Sequence, residues 1–140
     1  MSTFPEPFAT TVFTATSHHP YIIPEKHKDR FKEGTLPIHK CVAYTDMSVR
    51  RFFETASSMP WYQNTLFVIC ADHTNITEIP EYGTEAGRFM VPIMFYKPDG
   101  SLKHTMSGTM QQIDIMPTVL GILEYDRPYV AFGNDLTKIS

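Results

Sequence analysis

The sequence has 140 residues, with 12 Lys and Arg against 15 Asp and Glu, for a formal charge of −3 with histidine neutral. Hydrophobic residues make up 42% and charged ones 19%, which excludes an intrinsically disordered chain and supplies one core at this length. The mild acidity argues against nucleic acid or an anionic membrane as partner, because both select a basic footprint.

Residues 8–16 are rich in β-branched and aromatic side chains and predict a strand that ends at the turn Ser17-His18-His19-Pro20. Residues 20–38 carry Pro20, Pro24, Gly34 and Pro37 among many charges and read as an irregular surface connection. From 38 to 58 the period changes. Val49, Phe52, Phe53 and Ala56 follow the spacing of an amphipathic helix, with Arg50, Arg51 and Glu54 off that stripe and Pro60 marking the end.

Residues 66–71 form a continuous apolar run of the kind covered on both faces in a parallel sheet. Polar residues 74–88 read as a long loop, 91–96 as a third strand, and Lys97-Pro98-Asp99-Gly100 as the turn that closes it. Asp114 suits a helix N-cap, Pro117 is tolerated in the first turn, and Val119, Leu120 and Leu123 make the buried stripe. The tail, 125–140, reads as irregular or a short edge strand. The order β–α–β–loop–β–α predicts an α/β layer: a mostly parallel sheet flanked by helices. Starting at a strand and stopping soon after a helix, residues 1–140 read as a portion of a larger α/β domain. Cys41 and Cys70 are too few for a disulfide scaffold and read as reduced, buried packing residues. The longest apolar runs have six residues against the roughly twenty a membrane span needs, and the first residues lack the pattern of a signal peptide.

The chemistry concentrates at Ala71-Asp72-His73-Thr74, where an apolar strand gives way to a loop, the place where open α/β sheets bind ligands. Carboxylate and imidazole are both ligands for a divalent ion. On a regular strand neighbours point to opposite faces, so the two reach one ion only if the backbone turns directly after Ala71. The same pair also reads as a loop-capping Asp beside an exposed His. Ser17-His18-His19-Pro20 is the second candidate. If its strand shares a sheet with the central one, His18 opens onto the same rim as His73 and can bind an anion; the alternative is a solvated turn. Asp46 reads as a partner of Arg50 at i+4, Asp114 as a cap and Arg88 as a surface residue. His27, His39 and His104 receive no role. None of Thr14, Thr16, Ser17 and Thr74 has the sharp strand-to-helix setting of an activated hydroxyl.

Thr16-Ser17-His18-His19-Pro20-Tyr21, Tyr44-Thr45-Asp46, 64–73, 91–96 and Gln112-Ile113-Asp114-Ile115-Met116-Pro117-Thr118 together resemble, in order, the C-terminal half of bacterial sulfatase-like enzymes of the alkaline phosphatase superfamily. The branch they most resemble is the lipoteichoic acid synthase and phosphoglycerol transferase group. That resemblance implies an alkaline-phosphatase-like α/β fold of which this is the C-terminal portion. It implies metal-dependent transfer or hydrolysis of a phosphate or sulfate ester through a covalent intermediate on Thr, Ser or formylglycine. Asp72 and His73 then coordinate the divalent ion (Mn, Mg, Ca or Zn), and His18 contacts the anionic head of the substrate. His19 stands where the family often has another residue. The family's N-terminal half supplies a further acidic ligand and the nucleophile, and no segment here matches either. The implied partners are the ester substrate and that N-terminal half. The expectation is a portion inactive alone, weak in metal binding and prone to self-association, from a membrane-anchored parent with an exported catalytic domain. The reading from another class is a non-catalytic α/β module used for binding or assembly.

Overall fold

The computed structural model describes residues 1, 3–103 and 105–139; His104 lies outside the described residues. The chain divides into two compact units, Met1–Leu102 and Lys103–Ser140.

In the first unit, α1 spans Pro37–Ala56, starting and ending within two residues of the range the apolar period predicts. Pro37 opens it, where the missing N–H costs nothing. Cys41 and Ala56 are buried along it, while Phe52 stays partly open. The helix meets the sheet through aromatic rings. Phe53 lies 5.0 Å from Phe67 and 5.7 Å from Tyr96, centroid to centroid, and Tyr62 joins Phe67 at 5.6 Å. The hydroxyls of Tyr62 and Tyr96 are 3.0 Å apart; this bond, with burial, raises the Tyr62 pKa above its ordinary value.

Strands β1 (Phe67–Cys70) and β2 (Ile93–Tyr96) fall inside the two predicted runs. They pair antiparallel, Phe67 opposite Tyr96 and Cys70 opposite Ile93. The mostly parallel sheet is therefore corrected for the described residues, and the connection supplies the reason. A parallel pair needs a crossover that carries the chain back along the sheet. Here the intervening loop instead closes on itself: the Thr74 N–H donates to the Arg88 carbonyl at 2.6 Å, bringing the end of β1 beside the approach to β2. Two further expectations change. Residues 8–16 form no strand, and Val12 and Phe13 are exposed; strand propensity is a context-dependent preference, and this segment pairs with neither edge of the sheet. Phe8 is held by its ring against Phe4 and Trp61. Cys70 is exposed, with Val68 and Ile69 partly so, because β1 has one strand neighbour and meets α1 through Phe67. The predicted turn after β2 is present. The Gly100 N–H donates to the Lys97 carbonyl at 3.0 Å, and Gly100 takes the left-handed φ of 73°. The Ser101 hydroxyl and amide, with the Lys97 ammonium, hold the Asp99 pKa down at about 2.

In the second unit, α2 spans Ile115–Ile122. Asp114 occupies its N-cap position, but the carboxylate serves other amides: Oδ2 accepts from the Gln111 N–H and Oδ1 from the Asn134 N–H, both at 2.8 Å. Pro117 in the first turn is fully buried. Thr118 Oγ1 accepts from the Leu136 N–H at 3.1 Å, tying the tail to the helix. The tail is irregular apart from a 3-10 turn at Leu136–Lys138. Leu123, placed in the buried stripe by its spacing, is 60% exposed, because α2 has ended at Ile122 and the position no longer lies on a helical face. Among the described residues no helix is long and apolar enough to cross a membrane.

Candidate functional site

The backbone bends at Asp72 and His73, directly after the strand, and the bend turns two neighbours toward each other. The His73 N–H donates to Asp72 Oδ1 at 2.9 Å, and Asp72 Oδ2 lies 3.4 Å from His73 Nε2. Both side chains are more than half exposed, 59% and 52%. His73 Nδ1 lies 2.9 Å from the Thr74 carbonyl. A carbonyl only accepts, so the neutral ring carries its proton on Nδ1 and presents the lone pair of Nε2. This is the arrangement by which a backbone carbonyl orients a metal-binding histidine.

The loop behind the pair is braced by its own polar groups. Besides the Thr74–Arg88 amide bond, Thr74 Oγ1 donates to the Gly87 carbonyl at 3.2 Å. The Gly87 N–H donates to Thr84 Oγ1, which donates in turn to the Glu81 carbonyl, both at 2.9 Å. Two 3-10 turns, Pro80–Gly83 and Gly87–Phe89, fill the loop.

His18 sits in a double turn. Its N–H donates to the Ala15 carbonyl at 3.1 Å, and the Tyr21 N–H donates to the His18 carbonyl at 2.9 Å. The His19–Pro20 peptide within it is cis. His18 Nδ1 lies 2.8 Å from the His19 carbonyl, so this ring, like His73, directs Nε2 away from the backbone. The turn is fastened to the loop that follows His73. The Tyr21 hydroxyl donates to Asn75 Oδ1 at 2.9 Å, and Asn75 Nδ2 donates to the Ser17 carbonyl at 3.2 Å. His19 instead sets its ring 5.8 Å from that of Tyr21. Asn75 is the residue that sequence reasoning passed over, and Tyr21 stood in the stretch 16–21 without a role of its own. The available signal was an asparagine within a polar loop, a residue type that bonds nearby backbone, as Asn75 does with the Ile76 N–H at 2.8 Å.

A divalent ion suits part of this geometry. A tetrahedral ion with bonds of about 2.1 Å separates adjacent donors by roughly 3.4 Å, which matches the Asp72 Oδ2 to His73 Nε2 spacing. The set does not close: among the described residues no group of three His, Cys, Asp or Glu side chains is placed to hold an ion. The pair fits as two ligands of a larger set.

The remaining polar candidates have structural settings. Asp46 Oδ2 lies 3.7 Å from Arg50. Arg88 is exposed and contributes its carbonyl. The His27 ring lies 5.5 Å from that of Tyr44, and burial, then Lys26, Arg30 and Arg51, lower its pKa. His39 Nδ1 accepts from the Leu36 N–H at 3.5 Å. A cleft of about 580 Å³ lies against α1, lined by Arg30, Phe31, Asp46, Met47, Arg50 and Arg51 among others. None of His18, Asp72 and His73 lines it.

Comparison with known proteins bears on the same segments. Lipoteichoic acid synthase 1 of Bacillus subtilis (strain 168) is 29% identical over 152 residues, covering 94% of this chain and 23% of that protein. Lipoteichoic acid synthase-like YvgJ of the same strain is 24% identical, covering 97% and 25%. Lipoteichoic acid synthase of Staphylococcus aureus (strain USA300) is 25% identical, covering 93% and 23%. The chain thus spans about a quarter of the length of these relatives. No solved structure matches. The family model described as Sulfatase matches residues 2–125, a stretch that holds the His18 turn, both strands and the Asp72–His73 bend; the chain belongs to the sulfatase family.

Proposed function

We propose that these residues are the C-terminal portion of a metal-dependent catalytic domain that acts on phosphate or sulfate esters, of the phosphoglycerol or phosphoethanolamine transferase type. Family membership and the two lipoteichoic acid synthases support the class of chemistry. One observation carries the reading of the site: Asp72 and His73 face each other at 3.4 Å, with the His18 turn fastened alongside through Asn75. In the proposed roles Asp72 Oδ2 and His73 Nε2 are two ligands of a divalent ion, Mn, Mg, Ca or Zn. When bound, such an ion offsets charge on the transferring group and activates an oxygen nucleophile. His18 holds a peripheral oxygen of the ester's anionic head. The Thr74 and His19 carbonyls set which ring nitrogens are available for those tasks. The remaining ligands and the nucleophile belong to the N-terminal half of the domain, and the parent is membrane-anchored with its catalytic domain exported.

Isothermal titration of this chain with Mn²⁺ tests the reading. The expected result is weak, saturable binding that disappears in Asp72→Ala, with no turnover of phosphate or sulfate monoesters by the chain alone. Mn²⁺ binding of equal strength in Asp72→Ala overturns the metal assignment, and metal-dependent turnover by the chain alone overturns its reading as a portion. The two-ligand count favours one rival, a binding or assembly module without catalysis, which predicts no Mn²⁺ binding at all.

A further inference from the structure

Asn75 joins segments far apart in sequence. Its Oδ1 accepts from the Tyr21 hydroxyl, 54 positions away, and its Nδ2 donates to the Ser17 carbonyl, 58 positions away. The same Oδ1 accepts from the Ile76 N–H next in the chain. A carboxamide supplies an acceptor and donors in one plane at this size; a carboxylate lacks the donor and an aliphatic side chain lacks both. Tyr21 closes the turn with φ at 62°, a backbone region that bulky residues seldom adopt, so its hydroxyl anchors a conformation with little intrinsic preference. His18 and His73 each aim Nε2 off the backbone, and the Ser17–Asn75 and Tyr21–Asn75 bonds flank the first and follow the second by two residues.

We infer that Asn75, with Tyr21 as its partner, is a positioning residue that sets the His18 turn against the Asp72–His73 pair. The inference rests on reading those residues as an ion-and-anion site. It assigns Asn75 no contact with ion or ester. Its effect is to keep the anion-binding ring within reach of the ion-binding ring, two groups that belong to separate stretches of chain.

Paramagnetic broadening by Mn²⁺ in the histidine-labelled 140-residue chain tests it. In the parent sequence Mn²⁺ broadens the ring signals of both His73 and His18. Asn75→Ala leaves His73 broadened while His18 loses most of its broadening. Tyr21→Phe, which removes only the hydroxyl, gives a smaller loss in the same direction. The inference is overturned if His18 is not broadened in the parent while His73 is, if both variants leave His18 broadening unchanged, or if Asn75→Ala abolishes the broadening of His73 itself. If Mn²⁺ fails to broaden His73 in the parent, the metal reading fails and metal-free spectra decide whether Asn75 positions the turn. Amide signals of residues 17–21 that move in both variants support it, and signals that stay in place overturn it.

Discussion

At His18 and His73 one constraint has two chemical consequences. Each ring places Nδ1 against the carbonyl of the following residue, at 2.8 and 2.9 Å, so Nδ1 is the donor in both. For an ion ligand this is favourable, since neutral His73 offers the Nε2 lone pair. For an anion ligand it is restrictive. Neutral His18 also offers a lone pair, which repels an oxyanion; only the imidazolium donates from Nε2. In the proposed role, then, a hydrogen bond from His18 to an anion requires a proton on Nε2. Sulfate, whose charge is fixed, separates the alternatives. Sulfate binding persists in His18→Lys and falls in His18→Gln, followed by shifts of the amides of residues 17–21 on titration. Equal binding by the Gln variant would show that the turn's backbone, not the ring charge, holds the anion. Both histidines stand out in the sequence as candidates. Their tautomers are not legible there, because those depend on which carbonyl each ring meets.

The helix and the loop show which elements a sequence discloses. The range of α1 followed from apolar period and from Pro60 beyond its end, information contained within consecutive residues. The loop between the strands was legible as polar and irregular, but its closure was hidden, because Thr74 meets Arg88 and Thr84 meets Gly87 through single bonds with no periodic mark. The antiparallel sheet follows from that closure. Residues 8–16 failed as a strand for the converse reason: their composition is suitable, but they pair with neither open edge of the sheet. Gly87 makes the loop's packing testable. It is buried, and a Cβ there would lie 1.8 Å from the Glu81 carbonyl oxygen. Backbone cannot yield as a flexible side chain would, so Gly87→Ala must open the loop that braces Thr74. Overpacking of this kind costs about 1–3 kcal/mol, read as a lower urea midpoint for the first unit. Because the Thr74 carbonyl receives the His73 ring, the proposed metal role predicts that Mn²⁺ affinity falls with it. An unchanged midpoint would show that the loop closes by other contacts.

For the molecule as a whole, the balance between buried and open apolar surface sets what it does in solution. Phe13, Val130 and Phe132 are 76%, 87% and 95% exposed, and Phe89 and Met90 are also open. Scattered apolar residues on a surface are ordinary, but large side chains left almost wholly in water are not. Each such Val or Phe retains about 1.5–3 kcal/mol of burial free energy, against an association cost of roughly 4–15 kcal/mol. Covering the open side chains of either unit, Phe13, Phe89 and Met90 in the first or Val130 and Phe132 in the second, offsets part or all of that cost. Both β1 and β2 also keep an outer edge without a strand neighbour among the described residues, and such edges pair readily with another chain. In the proposed parent the rest of the catalytic domain covers this surface; in its absence a second copy is the available cover. The expected result is a light-scattering mass above the 16.0 kDa of one chain, rising with concentration and returning on dilution. Replacing Phe13 and Phe132 by lysine lowers that mass at each concentration. A steady mass of one chain up to millimolar concentration would mean that these side chains are tolerated in water and need no cover from a second copy.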